Sequence, residues 1–251
     1  EAINLHGISD VELGAYVSGG IDSSLVFAEM AKTKKYSLTG FNGNFSDEGN
    51  YDESFFAKKQ VNYSNGTFKS ATFNHKDFVE NIEHILWHLD QPVVGPGAIS
   101  QYLISDYASK HVKVVVGGQG GDELFGGYAR YLICYFEQAL KHRIRGTDKS
   151  DSFVLTLKNI LPNLELLSGY EPMIQNLFKD DLFGDLSARY FSIINRSSGW
   201  ANLINKDLLN HEAAFQSFEE LFYENKDFSL SSFDLMTRFD FKSSLRGLLQ
   251  V

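Results

Sequence analysis

The sequence predicts an α/β protein: a parallel sheet with helices on both faces, followed by a helical subdomain. Three observations carry that prediction. Short apolar runs alternate with stretches of helical period up to about Tyr131. Two of those runs end in glycine-rich corners, Ser18-Gly19-Gly20 and Gly117-Gly118-Gln119-Gly120-Gly121. From Leu132 onward the apolar residues keep a helical spacing, and strand character all but disappears.

Leu13–Val17 is a short apolar strand, and Asp22–Lys32 is a helix with Leu25, Val26 and Met30 on one face. Ser37–Phe41 is the second strand. A loop containing Gly49 and Asn50 then leads to a helix that Asp52 caps. Thr67–Phe73 is the third strand. Asp77–Leu89 gives the clearest helical signal, with Phe78, Ile82, Ile85, Leu86 and Leu89 at helical spacing. The Pro/Gly loop DQPVVGPGA opens into a helix from about Ala98 to Lys110, and HVKVVVGG is β-branched and bounded by glycine, as a buried strand is. Strands separated by helices pair in parallel, and such sheets bind ligands at their carboxyl ends near a topological switch point. Both glycine corners lie at carboxyl ends, which points to one site.

The later stretches Phe153–Leu161, Glu171–Leu177, Leu186–Asn195, Ala214–Tyr223 and Ser232–Leu249 are amphipathic. Phe215, Phe218, Leu221 and Phe222 form one stripe, which reads as core packing rather than a cofactor box. The expected organisation is therefore an α/β segment over 1–131 and a helical extension of the same domain over 132–251.

The 251 residues suffice to bury a sizeable core, and a net charge of -9 without a long basic run argues against nucleic-acid binding. A single cysteine, Cys134, excludes a disulfide framework and a cysteine-rich zinc site. No apolar run approaches the roughly 20 residues that span a bilayer, and no signal peptide opens the chain, so a cytoplasmic location is expected. The Asn-x-Ser/Thr triplets at Asn44, Asn62, Asn65 and Asn195 then read as chance. Both ends read as cut, which makes a longer polypeptide the expectation.

The corner SGGIDSS has the composition of a pyrophosphate cradle. Gly19 and Gly20 allow a tight turn, and Asp22, Ser23 and Ser24 occupy the first helical turn, where unpaired amides and the dipole favour an anion. Serine hydroxyls donate to phosphate oxygens, and an aspartate beside phosphates calls for a bridging cation, hence Mg²⁺ at Asp22. A bare S-G-G also fits an ordinary turn with a helix N-cap; the D-S-S extension after an apolar strand favours the cradle. The chain has no G-x-x-x-x-G-K-[ST] and no G-x-G-x-x-G, which disfavours Walker and dinucleotide folds. In GGQGGDELFGGY, Asp122 and Glu123 open a further helix. They fit dipole-stabilising caps, and with a metal at Asp22, Asp122 is a natural second ligand.

LGAYVSGGIDSS resembles the pyrophosphate loop of the ATP pyrophosphatases (PP-loop superfamily), most closely the glutamine-hydrolysing asparagine synthetase branch. VKVVVGGQGGDELFGGYARY is similar to that branch's second signature, and WHLDQPVVGPGAISQYLIS to the segment before it. Beta-lactam synthetases share much of the pattern. The resemblance implies a Rossmann-like fold of the adenine nucleotide alpha hydrolase type and a carbon–nitrogen ligase. ATP adenylates the side-chain carboxylate of aspartate, pyrophosphate leaves, and ammonia attacks the acyl-adenylate to give asparagine and AMP.

By residue, the resemblance implies that Ser18, Gly19, Gly20, Ser23 and Ser24 hold pyrophosphate, with Mg²⁺ on Asp22 and Asp122. Val17 and Thr39 would line the adenosine pocket, Gly117 and Gly118 would approach the nucleotide through backbone, and Glu123 would orient the site or meet ammonia. Arg130 and Tyr131 would contact substrate or form a helix-surface salt bridge. The family's glutamine-dependent members begin with a catalytic cysteine on a separate domain, whereas this chain begins with Glu1 and carries only Cys134. A glutaminase domain upstream would therefore supply ammonia from glutamine, and a C-terminal continuation would complete the substrate pocket. A homodimer is compatible with the pattern.

Gln119 stands where some members carry a carboxylate proposed to take a proton from ammonia; a neutral amide is not such a base. That departure keeps a non-catalytic nucleotide-binding module open as an alternative. His84 and His88 lie four apart, but HILWH lacks the glutamate of H-E-x-x-H and no third ligand is placed by spacing. FSDEGNYDES misses the calcium-loop pattern and reads as a solvated loop over the nucleotide entrance.

Overall fold

A computed structural model describes residues 1–34, 36–46, 52–89, 97–145, 184–195, 210–224 and 231–248, with Gln175, Ser197 and Asn205. The chain divides into two compact units, Glu1–Gly121 with Ser244–Val251, and Asp122–Ser243.

In the first unit, β1 (Leu13–Tyr16), β2 (Thr39–Phe45), β3 (Thr67–Phe73) and β4 (Val114–Val116) pair in parallel in the order β3-β2-β1-β4. The helices α1 (Ala2–His6), α2 (Ile21–Thr33), α3 (Ser54–Tyr63), α4 (His75–His88) and α5 (Gly97–Ser109) accompany the sheet. The first three strands step outward in one direction, and β4 then returns to the other side of β1. The topological switch point therefore lies between β1 and β4, whose carboxyl ends carry the two glycine corners.

Strand periodicity sorts β1 between two cores. Leu13, Ala15 and Val17 are buried with Phe27 and Met30 of α2 and Ala57 and Val61 of α3. Tyr16 packs on the other side, against the cluster of Phe41, Ile104, Ala108 and Val112. Gly14 shares that side, where a Cβ would come within 2.5 Å of the Phe41 ring. Burial on both faces is why the strand reads as a continuous apolar run.

Local differences from the expected elements have local causes. The buried face of α2 is Ser23, Phe27 and Met30, at i, i+4 and i+7, and Leu25 lies off that stripe with 53% of its surface exposed. The α4 helix starts at His75 rather than Asp77, because Asn74 and Asp77 form a capping box. The N-cap of α3 is Glu53, without a side-chain cap, rather than the expected Asp52; Asp52, one residue earlier, still accepts from the Ser54 N–H because its short side chain reaches the first turn. β2 runs on to Phe45 instead of stopping at Phe41, paired throughout with β3.

α6 (Gly121–Phe125) leads into the second unit, which holds α7 (Ala129–Arg145), α8 (Leu186–Ile194), α9 (His211–Phe222) and α10 (Ser232–Lys242). Its core joins Tyr131, Cys134, Tyr190, Phe218, Phe222, Met236 and Phe239. The α9 stripe is core: Phe218 and Phe222 are buried, and Phe215 and Leu221 pack against them. The same unit buries Glu137 between Arg189 (2.9 Å) and Lys141 (2.7 Å), so each charge is paired where water is excluded. The single helix expected over 232–249 breaks at Ser243, whose hydroxyl donates to the Phe239 carbonyl and competes with the backbone ladder. A short α11 (Ser244–Leu248) follows in the first unit. The expected helices over 153–161 and 171–177 (Gln175 apart), and loops 47–51 and 90–96, lie outside the described residues. No described helix is long and apolar enough to cross a membrane.

Candidate active site

β1 delivers the first corner. The Val17 N–H donates to the Phe41 carbonyl (2.8 Å), extending the ladder by one residue, and the chain then turns through Gly19 at φ +104°. A left-handed φ excludes most side chains, and a Cβ at Gly19 would also lie 2.6 Å from the Glu53 carbonyl oxygen. The turn is braced internally. The N–H of Ser18 donates to Ser23 Oγ (3.1 Å), the two hydroxyls lie 2.9 Å apart, Gly20 N–H donates to Ser18 Oγ, and Ser23 Oγ–H donates to the Gly20 carbonyl.

α2 then starts with Gly20 as its N-cap and no side-chain cap. Its first helical bond is Ser24 N–H to the Gly20 carbonyl, so the amides of Ile21, Asp22 and Ser23 are the orphan donors of the first turn. This is the geometry in which backbone and dipole together hold an anion. Ser23, expected among the phosphate donors, is buried and spends its hydroxyl on the brace. The Ser24 hydroxyl has no partner among the described residues.

The second corner closes against the first. A Cβ at Gly118 would sit 2.7 Å from Ser23 N and 2.9 Å from Asp22 C, and one at Gly121 would sit 2.4 Å from Asp22 Cγ. Glycine at 118 and 121 thus lets the loop after β4 touch the first turn of α2, and Gly120 takes φ +93°. Gly117 has room, with Tyr16 Cδ2 at 3.7 Å the nearest atom. The Gln119 side chain donates to Gln101 Oε1 (3.4 Å); Gln101 Nε2 in turn donates to Ser105, whose hydroxyl lies 2.8 Å from that of Tyr16.

Beside the turn is a cleft of about 190 Å³ lined by Ser18, Asn42–Phe45 and Asp52–Ser54. Asn42 Nδ2 donates to the Val17 carbonyl (2.8 Å), while the Oδ1 atoms of Asn42 and Asn44 are buried without a partner. The Ser54 backbone N–H, with help from its side chain, holds the Asp52 carboxyl below the usual range. Thr39 is not brought here. It pairs with Gly14 and Thr67 at the opening of β2, three residues, or about 10 Å of strand, before Asn42. Asn42, Gly43 and Asn44 were missed because the second strand was read as ending at Phe41; the polar alternation after it was the available signal.

Asp122 and Glu123 belong to the second unit, in the first turn of α6. Glu123 is 3% exposed and accepts from the Tyr128 hydroxyl at 2.8 Å. Burial first, and then the Glu123 carboxylate, push the Tyr128 hydroxyl above the ordinary tyrosine range, so it remains a donor. Arg130 and Tyr131 both bind Asp240 Oδ2, at 2.8 Å through Nη2 and 2.6 Å through the hydroxyl. The salt-bridge alternative for Arg130 is therefore realised, as an interior pair. His84 and His88 sit on the exposed side of α4, with His88 Nδ1 2.8 Å from the His84 carbonyl oxygen. Among the described residues no group of three or more His, Cys, Asp or Glu is disposed to hold a metal. Asp22, in the uncapped first turn of α2, has the oxygen-donor chemistry that suits Mg²⁺, which takes one or two protein carboxylates and completes its shell with phosphate and water.

Comparison with known proteins bears on this arrangement. The family profile described as Asparagine synthase matches residues 1–251. The chain is 37% identical over 131 residues to asparagine synthetase [glutamine-hydrolyzing] 1 of Bacillus subtilis, covering 52% of the chain and 20% of the relative. It is 33% identical over 218 residues to the putative asparagine synthetase [glutamine-hydrolyzing] 2 of Methanocaldococcus jannaschii, covering 84% and 38%. It is 30% identical over 147 residues to the asparagine synthetase [glutamine-hydrolyzing] of Rattus norvegicus, covering 55% and 25%. The chain thus spans well under half the length of these relatives.

Proposed function

The chain belongs to the asparagine synthase family, and we propose that it is the ATP-using half of a ligase that converts aspartate to asparagine. The observation that carries the reading is the turn Ser18–Gly20 with the uncapped first turn of α2, closed by Gly118 and Gly121. The amides of Ile21–Ser23 hold the β- and γ-phosphates, and the cleft lined by Asn42–Phe45 and Asp52–Ser54 takes the nucleoside, whose hydroxyl and amino donors suit its acceptor-rich wall.

An aspartate carboxylate oxygen attacks the α-phosphorus, and the bond to pyrophosphate breaks. The loop favours this step because its donors are aimed where charge grows on the leaving group. Ammonia then attacks the acyl carbon, the amide forms, AMP leaves, and the surplus proton passes to solvent or a neighbouring base. Asp22 and Asp122 would hold Mg²⁺, which when bound supplies charge neutralisation on the phosphates. Gln119, a neutral amide that donates to Gln101, leaves proton removal to another group. Ammonia comes from a glutaminase domain outside this chain.

The test is product identity. Incubation of the full-length protein with ATP, aspartate and ammonia yields AMP and pyrophosphate in equal amounts, and only when aspartate is present. Formation of ADP, or pyrophosphate release indifferent to aspartate, contradicts the reading.

A further inference from the structure

The consecutive acids of α6 have different surroundings. With five residues, α6 is too short to hold itself. It ends at Gly126, φ +74°, and the N–H groups of Gly126 and Gly127 both donate to the Asp122 carbonyl (2.9 and 3.0 Å). A Cβ at Gly126 would meet the Phe233 ring at 2.4 Å, and one at Gly127 would meet Asp122 Oδ1 at 1.9 Å. The Asp122 carboxylate thus rests directly on the backbone of the following turn.

Glu123 points inward and is fixed by a run of side chains. Its Oε1 takes the Tyr128 hydroxyl, and the Tyr128 ring is covered by the Arg130 guanidinium, 3.7 Å from the centroid. Arg130 donates through Nε and Nη2 to Asp240 Oδ2 (3.0 and 2.8 Å), and Asp240, 1% exposed, also accepts from the hydroxyls of Tyr131 and Tyr190. Burial, the largest single influence, would lower the Arg130 pKa, but the charge and hydrogen-bond interactions with Asp240 and Tyr190 together outweigh it and keep the guanidinium charged.

We propose that Tyr128, Arg130 and Asp240 are positioning residues: acting through Glu123, they fix the short helix from which Asp122 projects. Asp240 anchors Arg130 from α10, Arg130 flattens Tyr128, and Tyr128 holds Glu123 one residue beyond Asp122. The consequence for the metal rests on the reading of Asp122 as a Mg²⁺ ligand, and the helix-fixing role does not.

The test uses the full chain with Tyr128→Phe, Arg130→Lys and, as a matched core lesion elsewhere in the unit, Phe215→Leu. Arg130→Lys keeps a counter-charge for Asp240 but loses the planar stack and the fork. Hydrogen exchange in the nucleotide-free protein is expected to speed by about tenfold over residues 121–127 in the first two variants only, as loss of one local hydrogen bond or stack predicts. Titrating Mg²⁺ at fixed ATP is expected to show the half-saturating Mg²⁺ rising by about tenfold or more in the same two variants, the usual response to losing an outer-shell contact. ATP affinity without Mg²⁺ should be unchanged. Parent-like exchange over 121–127 in Tyr128→Phe and Arg130→Lys overturns the proposal, as does an equal effect in Phe215→Leu. A parent protein whose ATP binding ignores Mg²⁺ overturns the metal reading instead, and exchange still decides the positioning.

Discussion

Adding one methyl group at Gly118 attacks the contact on which the nucleotide loop depends. In Gly118→Ala the new Cβ would lie 2.7 Å from Ser23 N, 2.9 Å from Asp22 C and 2.9 Å from Ser23 Cα. These are backbone atoms, so no rotamer change relieves the clash. Ordinary contact begins near 3.4 Å, so the first turn of α2 or the loop after β4 must retreat by about 0.7 Å. Overpacking of this kind costs about 1–3 kcal/mol, which for a chain of this size lowers the melting midpoint by roughly 2–10 °C. Binding suffers more, because the displaced atoms include the Ser23 amide and the carbonyl of Asp22. Each charge-assisted hydrogen bond lost is worth about 1.5–3 kcal/mol, so losing one weakens pyrophosphate binding by roughly ten- to 150-fold. Calorimetric titration with pyrophosphate and a thermal melt measure both. Gly117→Ala, with Tyr16 Cδ2 at 3.7 Å, is the control for stability and should melt within a degree or so of the parent. A Gly118→Ala protein that binds pyrophosphate as tightly as the parent refutes the reasoning.

Gly121→Ala places a Cβ 2.4 Å from Asp22 Cγ and 2.7 Å from its Oδ1, so the carboxylate must swing away. The Mg²⁺-dependent gain in ATP affinity is expected to disappear while Mg²⁺-free binding persists; a retained gain contradicts the placement of the metal. Asp240→Asn strips the counter-charge from Arg130 inside the second unit. Because Arg130 keeps 22% of its side-chain surface in water, the cost is about 3 kcal/mol, the low end for a broken buried pair, and the melting midpoint falls by roughly 10 °C. An unchanged midpoint would show that the network carries little stability. Cys134 is buried, and that burial, followed by Glu137, pushes its thiol up to about 12 from an ordinary value near 9. Between pH 9 and 12 the unfolded thiol has released its proton while the folded one keeps it, so stability falls with rising pH in that window and is indifferent to this group below it. The urea midpoint of the parent minus that of Cys134→Ser, followed against pH, should decline only there.

The glycine corner was legible as a tight turn into a helix, because two adjacent glycines between an apolar strand and an apolar helix make no sense as core. The α9 stripe was legible for the opposite reason, since Phe218 and Phe222 repeat at helical spacing and need a core. What escaped was set by partners distant in sequence. Thr39 was assigned to the nucleotide pocket from its place in a pattern, but strand register, fixed by pairing with Gly14 and Thr67, puts Asn42 level with Val17. Gly117 and Gly118 read as residues that bring their backbone to a nucleotide; that the space a Cβ at Gly118 would fill is taken by the first turn of α2 was not visible in the sequence. Leu25 was placed on the buried face because the apolar residues were counted, whereas Ser23 is buried by the hydrogen bonds it makes. Arg130 meets Asp240 across 110 residues, a separation no local pattern encodes.

The decisive measurement is a crystal structure with ATP and Mg²⁺ bound. The β- and γ-phosphates are expected over the turn from Ser18 to Ser24, with oxygens about 3 Å from the amides of Ile21–Ser23 and the ion touching Asp22. A triphosphate bound elsewhere, with that turn empty, would contradict both the site and the reaction assigned to it.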